Sequence, residues 1–91
     1  MTMADRIRAK LAALHPLRLA VHDDSHRHLG HAGARAGGET HFRVEIVAPG
    51  FSGKTRLERQ RAVYAALAEE MAEQVHALQI TALAPEEDTR R

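Results

Sequence analysis

Hydrophobic residues along this chain recur first at helical spacing, then at every second position, and then at helical spacing again. In residues 4–14, Ile7, Leu11 and Leu14 fall on one stripe with charged residues between them, which predicts an amphipathic helix lying on a core. Pro16 ends this helix, because the residue before a proline is pushed out of the helical region. The chain therefore begins with one short surface helix.

Two stretches that alternate apolar and polar residues, 17–23 and 39–48, predict half-buried strands. Between them, residues 25–38 are rich in glycine, alanine and histidine and show neither period. This segment is too long for a tight hairpin turn, so we expect a loop that joins two antiparallel strands. The predicted inward-facing residues of the two strands are Leu17, Leu19, Val21, Phe42, Val44 and Ile46.

A second helix is predicted to begin at Thr55, because Thr55 and Glu58 form a capping-box pair, and to run to about Glu73. Residues 77–83 alternate again and predict a third strand, and Pro85 follows with one short helical turn. The expected buried stripe of the helix is Val63, Tyr64, Leu67 and Met71. Its expected solvent-facing residues are Arg56, Arg59, Glu69 and Glu73.

The element order α-β-β-α-β predicts a two-layer α+β fold. The second and third strands flank a helix, so they should be parallel, which makes a three-stranded mixed sheet covered on one face by helices. Residues 1–91 are expected to form a single domain, ordered over about 4–85 and ending in a charged tail at 86–91.

Composition excludes several classes of function. The chain has no cysteine, so disulfides, thiolate nucleophiles and a self-contained cysteine-ligated cluster are absent. A formal charge of +1 implies no global attraction to nucleic acid. No segment matches a membrane span or a secretory signal, and no nucleophile motif or carboxylate pair points to catalysis. We therefore expect a cytoplasmic, non-enzymatic protein that is not bound to a membrane.

Histidine is the unusual residue, with seven in 91 positions. Four of them lie within ten residues, at His22, His26, His28 and His31. Neutral imidazole is a nitrogen ligand for iron, zinc, copper and nickel, so the predicted loop, which contains His26, His28 and His31, is a candidate metal-binding segment. The simpler interpretation is that these are exposed polar side chains with no ligand, and the sequence pattern by itself favours it.

The segment Gly50–Gly53 matches the GXXG pattern of phosphate-gripping loops. It precedes a helix N-terminus, where backbone N–H groups attract anions, and Lys54, Arg56 and Arg59 follow it. The alternative is a plain strand-to-helix turn in which glycine supplies backbone freedom and Phe51 packs inward. We favour the plain turn.

Four separated segments together resemble one known family, the BolA proteins. In chain order they are DDSHRHLGH, GETHFRVEIV, GFSGKTRLERQRAVYAAL and VHALQITALAP. The resemblance extends from about Ile7 to Pro85 and implies a fold similar to a class II KH domain. It also implies a heterodimer with a monothiol glutaredoxin, in which the two proteins hold a [2Fe–2S] cluster together with glutathione.

The resemblance also implies which residues bind the cluster. The family's histidine before the last strand corresponds to His76, and its loop ligand corresponds to His28, or to His31 if the loop insertion falls earlier. The expected partner surface comprises this loop, the turn before the third strand and part of the second helix. Some BolA proteins regulate transcription, so DNA binding through Gly50, Gly53, Lys54, Arg56 and Arg59 is the alternative function. A homodimer is also compatible with the sequence.

Overall fold

The structure, a computed structural model, describes residues 1–25 and 40–89. Its helices and strands follow the predicted order, except that the second helix is divided in two. They are α1 (Met3–Leu11), β1 (Arg18–Asp23), β2 (His41–Val47), α2 (Arg56–Ala66), α3 (Ala68–Glu73) and β3 (Ala77–Leu83). Short 3-10 turns cover Ala12–Leu14, Pro49–Phe51 and Pro85–Glu87. No helix within the described ranges is long and apolar enough to cross a membrane.

The three strands form a mixed sheet in the order β1-β2-β3. β1 runs antiparallel to β2, with Val21 opposite Val44. β3 runs parallel to β2, with His41 opposite Ala77 at their first residues. This register confirms the predicted mixed sheet, and it places the first residues of two neighbouring strands at the same end of the molecule.

One face of the sheet carries the core, because alternate residues of all three strands point toward the helices. α1 contributes Met3, Ile7 and Leu11, and α2 with its following residue contributes Val63 and Leu67, all buried. The buried strand residues that meet them are Val21, Phe42, Val44 and Ile46, with Leu19, Leu78, Ile80 and Ala82 packed at the margin. The architecture is therefore the predicted two-layer α+β fold.

Two predicted core residues are exposed instead. Leu17 is 68% exposed, because β1 begins one residue later, at Arg18. Tyr64 is 39% exposed, since Val63 occupies the core-facing position and the next residue of a helix lies about 100° further round its axis. The predicted continuous helix is also interrupted at Leu67, whose φ of −105° and ψ of 19° are not helical.

A buried carboxylate, Glu70, fastens the first helix to the third. Its side chain is 0% exposed, and its Oε2 lies 3.0 Å from Arg6 Nη2 and 3.2 Å from Lys10 Nζ. Arg6 also pairs with Glu73 at 2.6 Å, and Lys10 with Glu69 at 2.8 Å. These contacts hold the pKa values of Glu69 and Glu73 below their ordinary range, because each carboxylate accepts a hydrogen bond from a cation.

Gly50 and Gly53 occupy the same turn, but only at Gly53 does the backbone conformation favour glycine. Gly53 has a φ of +78°, and no atom lies within 4 Å of a Cβ added at either residue. We therefore expect Gly53→Ala to lower the free energy of unfolding by about 1 kcal/mol through backbone strain alone. Gly50→Ala is the control and should change it by less than about 0.5 kcal/mol. Equal losses in chemical denaturation of the two variants would refute this explanation.

Candidate functional site

His76 lies between α3 and β3 with its side chain exposed. The residue before it, Val75, is buried in the core, which directs the next residue along the chain outward. The backbone N–H of His76 donates to the carbonyl oxygen of Thr40 at 2.7 Å. The backbone at this predicted ligand is therefore fixed, while its imidazole faces solvent.

His41, the first residue of β2, lies beside His76. The two imidazole rings are nearly parallel, with centroids 6.4 Å apart and an interplanar angle of 11°. His41 Nδ1 is 2.9 Å from Thr40 Oγ1, so a bond from His41 to a metal would come from its other ring nitrogen, Nε2. His41 was not among the predicted site residues, but the parallel pairing of β2 with β3 brings it beside His76.

Two buried hydroxyl residues, Ser25 and Thr40, lie on either side of residues 26–39, the part of the sequence that contains the other candidate ligands. Ser25 Oγ accepts hydrogen bonds from the backbone N–H groups of Thr40 at 2.9 Å and His41 at 3.0 Å. The backbone N–H of Ser25 in turn donates to Asp23 Oδ1 at 2.9 Å. Ser25 and Thr40 therefore lie together next to His41. His28 and His31 lie between them in the sequence, outside the described residues.

The described site holds an incomplete set of metal ligands. Across residues 1–25 and 40–89, no three histidine, aspartate or glutamate side chains converge on one point. Asp24 lines a small cleft of about 240 Å³ next to His41, but its carboxylate accepts a hydrogen bond from Arg43 Nε at 3.1 Å. Two imidazoles are what this end of the sheet offers, so a metal bound here needs further ligands from the loop or from another molecule.

The turn at Gly50–Gly53, which was the predicted site of the alternative DNA-binding function, has the structure of a plain strand-to-helix connection. Phe51 is buried, as that interpretation expects, and Pro49–Phe51 forms a 3-10 turn. Thr55 and Glu58 form the predicted capping box, with N–H to side-chain oxygen distances of 3.1 and 2.8 Å. The pKa of Glu58 is lowered by the backbone hydrogen bond from Thr55. A carboxylate of the chain itself therefore lies where a phosphate would approach the helix.

Arg59 was predicted to face solvent, and this is wrong. It is only 9% exposed, and its Nη1 lies 2.5 Å from Glu87 Oε1. Its Nε donates to the carbonyl oxygen of Lys54 at 3.0 Å and its Nη1 to that of Ala82 at 3.1 Å. The long side chain reaches back across the turn to β3, so the exposed cations of this region are Lys54, Arg56 and Arg61.

The described structure is a small α+β domain with two adjacent histidines, His41 and His76, at one end of its sheet. The sequence profile of the family described as BolA-like protein matches residues 11–87, and the chain belongs to the BolA family. Its structure is similar to that of BolA1 from Arabidopsis thaliana, with a TM-score of 0.84 and 38% identity over 97% of this chain and 98% of that one.

Two relatives carry informative names. The chain is 45% identical over 87 residues to the Arabidopsis thaliana protein named BOLA1, chloroplastic, which covers 92% of this chain but only 54% of that protein. It is 44% identical over 79 residues to the Escherichia coli protein named DNA-binding transcriptional regulator BolA, covering 86% of this chain and 71% of that one. The chain thus spans about half the length of the first relative and most of the second.

Proposed function

We propose that this chain is a non-enzymatic adaptor that binds a monothiol glutaredoxin and shares a [2Fe–2S] cluster with it. The role would lie in iron–sulfur cluster trafficking or iron-dependent regulation. The observation that supports it is the pair of imidazoles at His76 and His41, which lie side by side at the end of the sheet. Histidine pairs can replace cysteine pairs on one iron of such a cluster. Since this chain has no cysteine, the sulfur ligands would come from the glutaredoxin and glutathione.

His76 is the proposed ligand with the firmest position, and its companion is one of three histidines. His41 is adjacent in the described structure, whereas His28 and His31 belong to the loop that returns at Thr40. For His41 to serve, the two rings must turn out of their parallel arrangement, so that one nitrogen of each points at the same iron. Both side chains lie at the end of a sheet whose backbone stays fixed, so this needs only side-chain rotation.

The exposed side of α2 would give the partner additional contact area. Tyr64 is partly exposed, and its hydroxyl is 3.4 Å from the carbonyl oxygen of Leu78, two residues after His76. Leu57 lies two helical turns earlier on the same helix and is also exposed. Tyr64 therefore lies near the start of β3, where a protein partner that reaches His76 would contact it. Leu57 is in the first turn of α2, close to Arg59, whose side chain reaches the end of β3, so it would extend such a contact surface away from His76.

The proposal is tested by mixing the chain with cluster-loaded monothiol glutaredoxin. We expect a complex of one molecule of each protein by light scattering after size exclusion, together with changed visible absorption and circular dichroism of the cluster. A change in the spectra is expected because nitrogen ligands alter the electronic structure of the iron. Spectra and masses equal to those of the separate proteins would rule out the adaptor function.

The second candidate is a DNA-binding regulator, and it is favoured by the name of the Escherichia coli relative. Gly50, Gly53, Lys54 and Arg56 are exposed in this chain and could contact phosphates, whereas Arg59 is occupied by Glu87. Binding should weaken steeply with salt, and removing Lys54 and Arg56 together should weaken it for every sequence. Salt-independent association, or none at low salt, would exclude this function.

A further inference from the structure

Three consecutive acidic residues after β3 are each bound to a different part of the molecule. Glu86 Oε1 accepts a hydrogen bond from Ser52 Oγ at 3.0 Å, and Glu87 pairs with Arg59. Asp88 Oδ1 lies 2.7 Å from Arg18 Nη2. The segment is further fixed by Glu87 Oε1, which accepts from the backbone N–H of Ala84 at 2.7 Å. This acidic segment therefore lies folded against the domain.

The carboxylates of Glu86 and Glu87 lie next to the Gly50–Gly53 turn and the cations that follow it. Ser52, the partner of Glu86, is within Gly50–Gly53. Glu87 lines a cleft of about 360 Å³ together with Lys54, Arg56 and Arg59. Without Glu87 the charged residues of this cleft would all be cations. The hydrogen bond from Arg59 lowers the pKa of Glu87, so its carboxylate is negative at neutral pH and the charge of the cleft is partly cancelled.

We propose that Glu86 and Glu87 act as an acidic strap that keeps the phosphate backbone of DNA off this turn. The inference rests on the DNA-binding candidate above and explains how that activity would be restrained. A phosphate approaching Lys54 or Arg56 meets the negative charge of both strap residues and of Glu58, and repulsion between like charges opposes binding. Neutralising or displacing the strap should expose a cationic surface that the intact chain masks.

The strap could instead serve only to fasten the end of the chain, and glutamine substitutions separate the two roles. In E86Q/E87Q the side-chain amide oxygens can still accept hydrogen bonds from Ser52, Arg59 and the Ala84 backbone. The contacts are thus retained while the two negative charges are removed. A matched control is E69Q/E73Q, which removes two ion-paired carboxylates from α3, the helix that packs against α1.

The test measures the affinity of both double variants for duplex DNA at low salt by fluorescence anisotropy, with thermal melts to verify folding. We expect E86Q/E87Q to bind about tenfold more tightly than the unmodified chain and the control about twofold or less. Adding K54A/R56A to E86Q/E87Q should abolish the gain. The single variant E86Q, which leaves the Arg59 pair intact, should give about a threefold gain if the double variant is unstable.

Two results would overturn the strap, and they differ in what else they exclude. Equal affinities of E86Q/E87Q and the control, both lost with K54A/R56A, would leave DNA binding at the turn but assign no restraint to the acidic segment. No binding by any variant at low salt would exclude the DNA-binding candidate as well. Neither result bears on the glutaredoxin adaptor, which is measured by cluster spectra.

Discussion

His76→Ala should remove at least about nine-tenths of the cluster signal that forms with cluster-loaded glutaredoxin, because a lost ligand weakens a metal site by about tenfold or more. The fold should be unaffected. The imidazole is exposed, and the backbone N–H that donates to Thr40 is retained in alanine. We expect the free energy of unfolding to change by less than about 0.5 kcal/mol, so loss of signal would report the ligand and not the fold. The measurement is visible circular dichroism of the mixture.

The control for this variant is His15→Ala, which removes an exposed histidine at the end of the first helical segment. It should leave the cluster spectrum unchanged. His28→Ala, His31→Ala and His41→Ala, measured in parallel, identify the companion ligand as the one whose loss matches that of His76. A His76→Ala variant with the spectrum of the unmodified chain would contradict the ligand assignment. Loss of signal in His15→Ala as well would mean that the assay does not report ligation.

Glu70→Ala is expected to have the largest effect on stability, a loss of about 3 kcal/mol in the free energy of unfolding. Glu70 is the buried member of a cluster with Arg6 and Lys10. Each cation would keep its second carboxylate, Glu73 or Glu69. The expected loss comes from the contacts that Glu70 makes out of solvent, and from the unfilled space that alanine leaves at this fully buried position. Chemical denaturation monitored by far-ultraviolet circular dichroism would measure this loss.

The matched comparison is Glu73→Ala. Glu73 binds the same Arg6 from the next helical turn, but its side chain is 53% exposed, so solvent screens the pair and stability should hardly change. Glu70→Gln should fall between the two, since an amide fills the space and keeps part of the hydrogen bonding. If Glu70→Ala and Glu73→Ala destabilise equally, burial of Glu70 is not the origin of the effect.

Local signals in the sequence predicted the elements well. The pair Thr55 and Glu58 marks the start of α2, because a capping box is formed by residues three apart and depends on nothing distant. The bounds predicted for β3, 77–83, match those observed, since a period of two is visible within the strand itself. Element order then fixed the parallel pairing of β2 with β3.

Features that depend on distant partners were not predicted. Arg59 is buried by Glu87, 28 positions further along the chain, and Glu70 by Arg6, 64 positions earlier. Helical spacing alone gives no reason to predict that either residue is buried. A charged side chain is expected to be buried only when it has a partner of opposite charge, and the partner cannot be identified from spacing. Leu17 was wrongly predicted to be buried for a different reason. The alternation of apolar and polar residues begins at Leu17, one residue before the first residue of β1.

The candidate site was predicted in part. His76 came from resemblance to a family and not from spacing, whereas His41 could have been found by aligning the inward residues Phe42 and Leu78 of two parallel strands. That alignment places the residue before Phe42 beside the start of β3. The loop ligands could not be distinguished, because a segment without a period gives no register to count from.

The hydrogen-bonded pair Ser25 and Thr40 keeps the two sides of residues 26–39 together in the fold. Because Ser25 Oγ accepts hydrogen bonds from the backbone N–H groups of both Thr40 and His41, the residues on either side of this segment are held adjacent by contacts of their own. Lengthening a closed loop adds only about 0.6 kcal/mol per doubling. We therefore expect substitutions and changes of length within residues 26–39, including cysteine for histidine, to leave the strands next to His76 undisturbed.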